Sequence, residues 1–254
     1  MNLLLSNDDG FDSQGIRVLA EKLSKKHKVF IVAPDSNRSA VSHHITMFKE
    51  NTLVKLADNL YTCTGYPVDC VFTGIESSLF GVKIDAVISG INRGANMGTD
   101  IIYSGTCAVA RQAVLSGVPS VAFSLQSADK EDNWEDNFNF EPLADFAVNN
   151  LEKLLSLART TPPRAFVNVN ALSRQKYEEA VITSKLCIRQ YNDKVIAVHD
   201  KDDKYHTEFI MGHNQTPLIE DTDYGICSSG RIAVSVVYAD PVCPEIVDDM
   251  EFSL

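Results

Sequence analysis

The stretch Leu3-Leu4-Leu5-Ser6-Asn7-Asp8-Asp9-Gly10 joins an uninterrupted apolar run to a polar turn with two adjacent carboxylates. An apolar run without alternation reads as a strand covered on both faces, the pattern of a parallel sheet. Two acids at its end are poor core material, because an ionised carboxylate buried without a partner costs on the order of several kcal/mol or takes up a proton. A divalent cation would remove that cost, and ligand sites in open α/β sheets lie at strand ends. The plainer alternative is a turn whose two acids are solvated and cap the next helix.

Working outward from this strand, Leu3–Ser6, the chain alternates strand and helix patterns. A helix is predicted over Ser13–Lys26 and a strand over Val29–Ala33, stopped by Pro34. Thr52–Leu56 and Leu60–Thr64 read as a hairpin inserted in the alternation. Pro67 suits the first turn of a helix reaching about Leu79. Strands follow at Asp85–Ser89 and Val118–Leu125, flanking a helix over Ser104–Ser116 closed by Gly117. The polar stretch 126–138 reads as a surface loop, Glu141–Leu157 as a helix and Phe166–Asn170 as a further strand. From Glu179 the pattern changes to β segments at Val181–Gln190, Lys194–His199, Tyr205–Met211 and Arg231–Tyr238. The expected fold is α/β: a Rossmann-like, mostly parallel sheet with helices on both faces, plus a β-rich C-terminal extension. The core is assigned to residues 1–178. Residues 179–254 form the extension, an arm with a return to the core. Exposed strand edges in the arm are expected to pair with another subunit, giving a homodimer or homotetramer.

The 254 residues are 44% hydrophobic and 22% charged, which is globular composition with a core to bury. A net charge of −11 argues against duplex nucleic acid or an anionic membrane as a broad partner. A small anionic substrate would need local positive charge, which a metal ion supplies. No apolar run is long enough to span a bilayer, and Met1-Asn2-Leu3 lacks the basic start of a signal peptide, so a cytoplasmic location is expected. Six cysteines with no Cys-x-x-Cys spacing among them read as reduced, mostly structural thiols.

In a parallel sheet the segments that follow successive strands emerge at one edge. Asp8-Asp9, the Asp35–Ser39 loop, the Gly90–Gly98 loop and Tyr103-Ser104-Gly105-Thr106 would converge there. Two carboxylates with an Asn carbonyl and a Ser hydroxyl form an all-oxygen donor set, which suits Mg²⁺ or Mn²⁺ rather than zinc. Ser104-Gly105-Thr106 at a helix start offers amides, hydroxyls and the positive dipole end, a cradle for phosphate or carboxylate. Taken singly, Ser104 is an N-cap and Asn92 and Asn96 are turn residues. The adjacent His43 and His44 read as solvated, Cys107 as helix packing and Thr222-Asp223-Tyr224 as a capped turn.

The ordered series SNDDG (6–10), APDSNRS (33–39), GYPVDCV (65–71), SGINRGANMGTD (89–100) and YSGT (103–106) resembles the SurE family of stationary-phase survival nucleotidases. The segment 222–237, TDYGICSSGRIAVSVV, resembles the family's later region more loosely. The resemblance implies a metal-dependent phosphatase acting on nucleoside 5′- and 3′-monophosphates, built as an oligomer partly through exchanged C-terminal elements. It implies one divalent metal ion per subunit held by Asp8, Asp9, Ser39 and Asn92. It implies phosphate contacts from Asn96, Ser104, Gly105 and Thr106, with Gly65 through Cys70 shaping the nucleotide side. Three positions depart from the family pattern. Ala40 stands where glycine is usual, Gln112 where glutamate is usual, and no histidine follows Asp240 in the segment Pro241–Pro244.

The chemistry expected of such a site is hydrolysis of a phosphate monoester, with Asp8 or Asp9 as the group that accepts the water's proton. A covalent aspartyl-phosphate mechanism fits less well, because that class spaces its two acids two residues apart. The non-enzymatic alternative is a metal- or nucleotide-binding oligomer without turnover.

Overall fold

The computed structural model describes residues 1–128 and 138–241. Most of the predicted 126–138 loop, Trp134 included, and the segment holding Cys243 lie outside the described residues. The chain runs β1 (Asn2–Ser6), α1 (Gln14–Ser24), β2 (Lys28–Pro34), β3 (Leu53–Ala57), β4 (Leu60–Cys63), α2 (Pro67–Glu76), β5 (Ala86–Arg93), a 3₁₀ turn (Gly98–Ile102), α3 (Gly105–Leu115) and β6 (Ser120–Gln126). It continues through α4 (Glu141–Leu157), β7 (Ala165–Leu172), β8 (Ala180–Ile182), β9 (Lys194–His199), β10 (Tyr205–Ile210), α5 (Asp223–Ser228) and β11 (Ile232–Tyr238).

Among the described residues, nine strands form one sheet in the order β3-β4-β2-β1-β5-β6-β7-β11-β8. The run from β4 to β7 is parallel throughout, while β3 and β11 pair antiparallel with β4 and β7. Helices α1 and α4 cover one face and α2 and α3 the other. Leu3 and Leu5 enter the α1/α4 layer and Leu4 the α2/α3 layer, and all three are fully buried. Each such leucine contributes roughly 1.5–3 kcal/mol on leaving water. The expected α/β architecture is therefore present. Its order of connection reverses between β1 and β5, and this switch point opens a crevice at the carboxyl ends of those strands.

The predicted hairpin forms, β3 pairing antiparallel with β4, and β4 also lies parallel beside β2 and carries the sheet outward. Two expectations change. The predicted strand Val181–Gln190 shrinks to Ala180–Ile182. Side chains take the later backbone donors: Cys187 N donates to Asp223 Oδ1 (2.8 Å) and Arg189 N to Thr99 Oγ1 (3.1 Å), so no ladder can form. Thr222 caps a helix rather than a turn, its hydroxyl accepting from Gly225 N at 3.1 Å at the start of α5. The last strand, β11, returns to the main sheet beside β7. β9 and β10 form a separate two-stranded sheet exposed on both faces. Among the described residues no helix is long and apolar enough to cross a membrane.

Candidate active site

The turn after β1 is built by Asn7, which is fully buried. Its Nδ2 donates to Gly10 O and to Ser13 Oγ, each at 2.8 Å, and its Oδ1 accepts from Gly10 N at 3.2 Å. This closed loop holds Asp8 and Asp9 at the mouth of the crevice between β1 and β5.

The loops that follow the other strands reach the two aspartates by direct hydrogen bonds. From the segment after β2, Arg38 N donates to Asp8 O at 2.7 Å, which brings in Ser39, whose own amide donates to Asn37 Oδ1 at 2.8 Å. From the end of β5, Arg93 N donates to Asp9 Oδ2 at 3.0 Å. From the start of α3, Thr106 Oγ1 donates to Asp8 Oδ1 at 2.5 Å. Helix α3 packs so closely that a Cβ on Gly105 would lie 2.6 Å from Asp8 Cβ, so only glycine fits there. β5 runs on through the glycine that sequence reading took as its end. Its register shifts between Ser89 and Asn92, and Gly90 takes a φ of +106° that other residues rarely adopt.

Burial pushes the Asp8 carboxyl above its usual value, against the Thr106 hydroxyl and the amides at the start of α3. Burial first, then the Asp8 charge beside it, pushes Asp9 up to about 7. Hydrogen bonds alone ease Asp8; Asp9 is eased by the Arg93 amide and, least, by the Arg93 charge. Two neighbouring carboxylates thus share little counter-charge, Asp8 having none among the described residues and Asp9 only the weak influence of Arg93. Asn92 commits its Nδ2 to Gly94 O at 3.0 Å, which leaves its carbonyl oxygen as the acceptor. Two carboxylates, this carbonyl and the Ser39 hydroxyl are hard oxygen donors that suit a small divalent cation.

Asn96 is 7% exposed and lies over the ends of β6 and β7 rather than against the aspartates. Its backbone N donates to Asn170 Oδ1 (2.8 Å), and its carbonyl accepts from Asn168 Nδ2 (2.8 Å) and Asn170 Nδ2 (3.0 Å). Its Nδ2 donates to Ser124 Oγ at 2.8 Å. Ser104 is the N-cap of α3, its Oγ accepting from Cys107 N at 3.0 Å. The Thr106 hydroxyl is engaged with Asp8, so the two hydroxyls of the predicted cradle already have partners within the protein. Cys107 is fully buried, and burial drives its thiol up to about 12.

Sequence reading missed Asn7, Asn168 and Asn170 as builders of the site. The signal for the last two is Asn-Val-Asn inside an apolar strand, which puts two amides on one buried face. His43 is not solvated: it is half-buried, and its Nε2 lies 3.0 Å from Gln112 Oε1, the residue at the family's glutamate position. His44 is exposed and packs tilted against Tyr66, with ring centroids 3.9 Å apart and an interplanar angle of 52°. Ala40 adopts φ +58°, the left-handed conformation for which glycine is the natural residue. Asp240 pairs with Arg164 at 2.7 Å.

The sequence profile described as "Survival protein SurE" matches residues 3–193. The chain is similar to the 5′-nucleotidase SurE of Geotalea daltonii, 35% identical with 94% of each chain covered. It is also similar to that of Rubrobacter xylanophilus, 37% identical with 94% of this chain and 92% of that one covered. The crystal structure of the SurE protein from Aquifex aeolicus superposes with a TM-score of 0.79, at 32% identity and 95% coverage of both chains. With profile, full-length relatives and fold in agreement, the chain belongs to the SurE family.

Proposed function

We propose that this protein is a divalent-metal-dependent phosphomonoesterase that hydrolyses nucleoside 5′-monophosphates, and 3′-monophosphates as well, to nucleoside and phosphate. The observation that carries the reading is the pair at the switch point, Asp8 buried and Asp9 half-buried, short of counter-charge and tied to three other loops. The names of the similar proteins, 5′-nucleotidase SurE, agree with it.

Asp8, Asp9, Ser39 and Asn92 would hold one Mg²⁺ or Mn²⁺ per subunit. When bound, the ion supplies the missing positive charge, polarises a phosphoryl oxygen and acidifies a water. Asn96 and the amides at Ser104, Gly105 and Thr106 would orient the phosphate and hold the charge that grows on its oxygens. Preorganised donors of this kind are typically worth about 10²–10³ in rate. The asparagine pair beneath Asn96 fixes that donor before substrate arrives. Asp8 or Asp9 accepts the proton of the attacking water. The large apolar side chains on the β9–β10 hairpin, among them Val195, Val198 and Tyr205 at 59–65% exposure, support assembly into a homodimer or homotetramer through the C-terminal region. The five described cysteines are free, in keeping with a reducing compartment such as the cytoplasm.

The test is phosphate release from AMP and GMP with Mn²⁺, with Mg²⁺ and with chelator, alongside Asp9→Asn. Metal-dependent release that the substitution abolishes supports the reading. A folded, metal-loaded protein that binds nucleotide but releases no phosphate would instead be the binding-only oligomer.

A further inference from the structure

The segment 97–103 joins the two halves of the phosphate cradle, Asn96 on one side and Ser104 at the start of α3 on the other. Most of it is the 3₁₀ turn Gly98–Ile102, a weak spacer by itself because i→i+3 bonds have poor geometry. Both ends of the turn are held from elsewhere. At the far end Ser42, in the loop that carries Ser39, donates from its N to Tyr103 O at 2.9 Å and from its Oγ to Ile102 O at 2.8 Å. At the near end the grip comes from the C-terminal extension.

Asp223 opens α5 and is 1% exposed. Its Oδ2 accepts from Gly98 N at 2.7 Å, across 125 residues of chain. Its Oδ1 accepts from Cys187 N and from Tyr224 N, each at 2.8 Å. These three backbone amides offset the cost of burying a carboxylate, and bonds to an ionised acceptor are roughly twice as strong as neutral ones. The helix does not need the acid as a cap, since Thr222 fills that place by accepting from Gly225 N at 3.1 Å. The fit leaves no slack: a Cβ on Gly98 would overlap the Cys187 carbonyl, and fully buried Met97 packs with Cys187, Ile226 and Cys227. A second bond of the extension falls on the next residue, where Arg189 N donates to Thr99 Oγ1 at 3.1 Å.

We propose that the C-terminal extension positions the phosphate through Asp223, which holds the Gly98 amide and so sets the spacing between Asn96 and the amides of Ser104, Gly105 and Thr106. The proposal rests on the nucleotidase reading above and extends the site to a positioning residue that touches no substrate.

The test uses Asp223→Asn, which keeps size and shape but has a single acceptor oxygen. Two donors, Cys187 N and Tyr224 N, outweigh one, so the amide oxygen stays with them and Nδ2 opposes the N–H of Gly98. Thr222→Ala is the control, losing the cap of α5 while leaving Gly98 its acceptor. For Asp223→Asn, kcat/KM for AMP is expected to fall about 10²-fold, the scale of a 1 Å misplacement. Affinity for inorganic phosphate, read by calorimetry on the Mn²⁺-loaded protein, should fall about tenfold, the scale of one hydrogen bond. The rise in Tm on adding Mn²⁺ should match that of wild type, because the metal ligands are anchored by other bonds, and Thr222→Ala should melt lower with both constants kept. Wild-type phosphate affinity in Asp223→Asn overturns the proposal. So does an equal loss in Thr222→Ala, or a Mn²⁺ response lost together with phosphate, since either means that the extension or the site has loosened as a whole. If Asp223→Asn does not fold, Thr99→Val removes the neighbouring acceptor from an exposed residue. It should weaken phosphate binding about threefold, and unchanged affinity overturns the proposal. A wild type that binds phosphate through Asp223 but releases none from nucleotides would sink the nucleotidase reading and keep this assignment.

Discussion

Replacing Gly105 by alanine separates the geometry of the site from the stability of the fold. The added Cβ would lie 2.6 Å from Asp8 Cβ and 2.9 Å from Asp8 Oδ2, whereas ordinary contact begins at 3.4 Å. Asp8 or the start of α3 must therefore move by about 0.8 Å. Displacements near 1 Å at a reacting centre cost roughly 10²-fold in rate. Gly105 is the first residue of α3, where alanine gains little over glycine, so crowding of this kind should cost about 1–3 kcal/mol without unfolding the chain. For a chain of this size an imbalance of 1 kcal/mol moves Tm by about 2–4 °C. The expected outcome is a kcat for AMP in Mn²⁺ lower by about two orders of magnitude, with Tm lower by about 2–12 °C and the chain still folded. A variant with near wild-type turnover and unchanged Tm would refute the claim that α3 sets the position of a reacting carboxylate.

Asn170→Ala removes the donor and the acceptor that hold the Asn96 peptide. It should cost about 1–3 kcal/mol in urea unfolding and raise KM for nucleotide; an unaltered KM would show that Asn96 needs no such support. Ala40→Gly relieves a left-handed residue and should raise stability by about 1 kcal/mol, read as a higher Tm. A lower Tm would mean that the backbone at Ala40 is unstrained. Asp9→Asn takes one charge from a neighbouring like-charged pair whose other member, Asp8, is buried, so it should melt above wild type in chelator and gain nothing from added Mn²⁺. A variant that Mn²⁺ still stabilises as it does wild type would remove Asp9 from the metal site.

Much of the site was legible because its chemistry is written in short local segments. Asn7 to Gly10 can be read as a turn with two acids, and Ser104 as a cap, from nearest neighbours alone; both are so in the structure. The asparagines under Asn96 escaped notice because their partner lies more than 70 residues away. Gln112 shows the same limit. Its departure from the family pattern was visible, but its contact, His43, lies 69 residues away on a loop read as solvated.

Taken by itself, the sequence determined the α/β alternation, the parallel core and the family. Unbroken apolar runs, glycine and proline stops and adjacent carboxylates act over a few residues, where steric and solvation preferences decide. Tertiary structure alone decided that the Thr106 hydroxyl is already spoken for, bound to Asp8 98 residues away. It alone ended the predicted strand at Ile182, because Asp223 and Thr99 reach across the chain for backbone donors that a ladder would need. A hydrogen bond between distant residues leaves little mark on local pattern: its energy depends on a distance that packing sets, whereas the pattern records only which side of a strand or helix faces water.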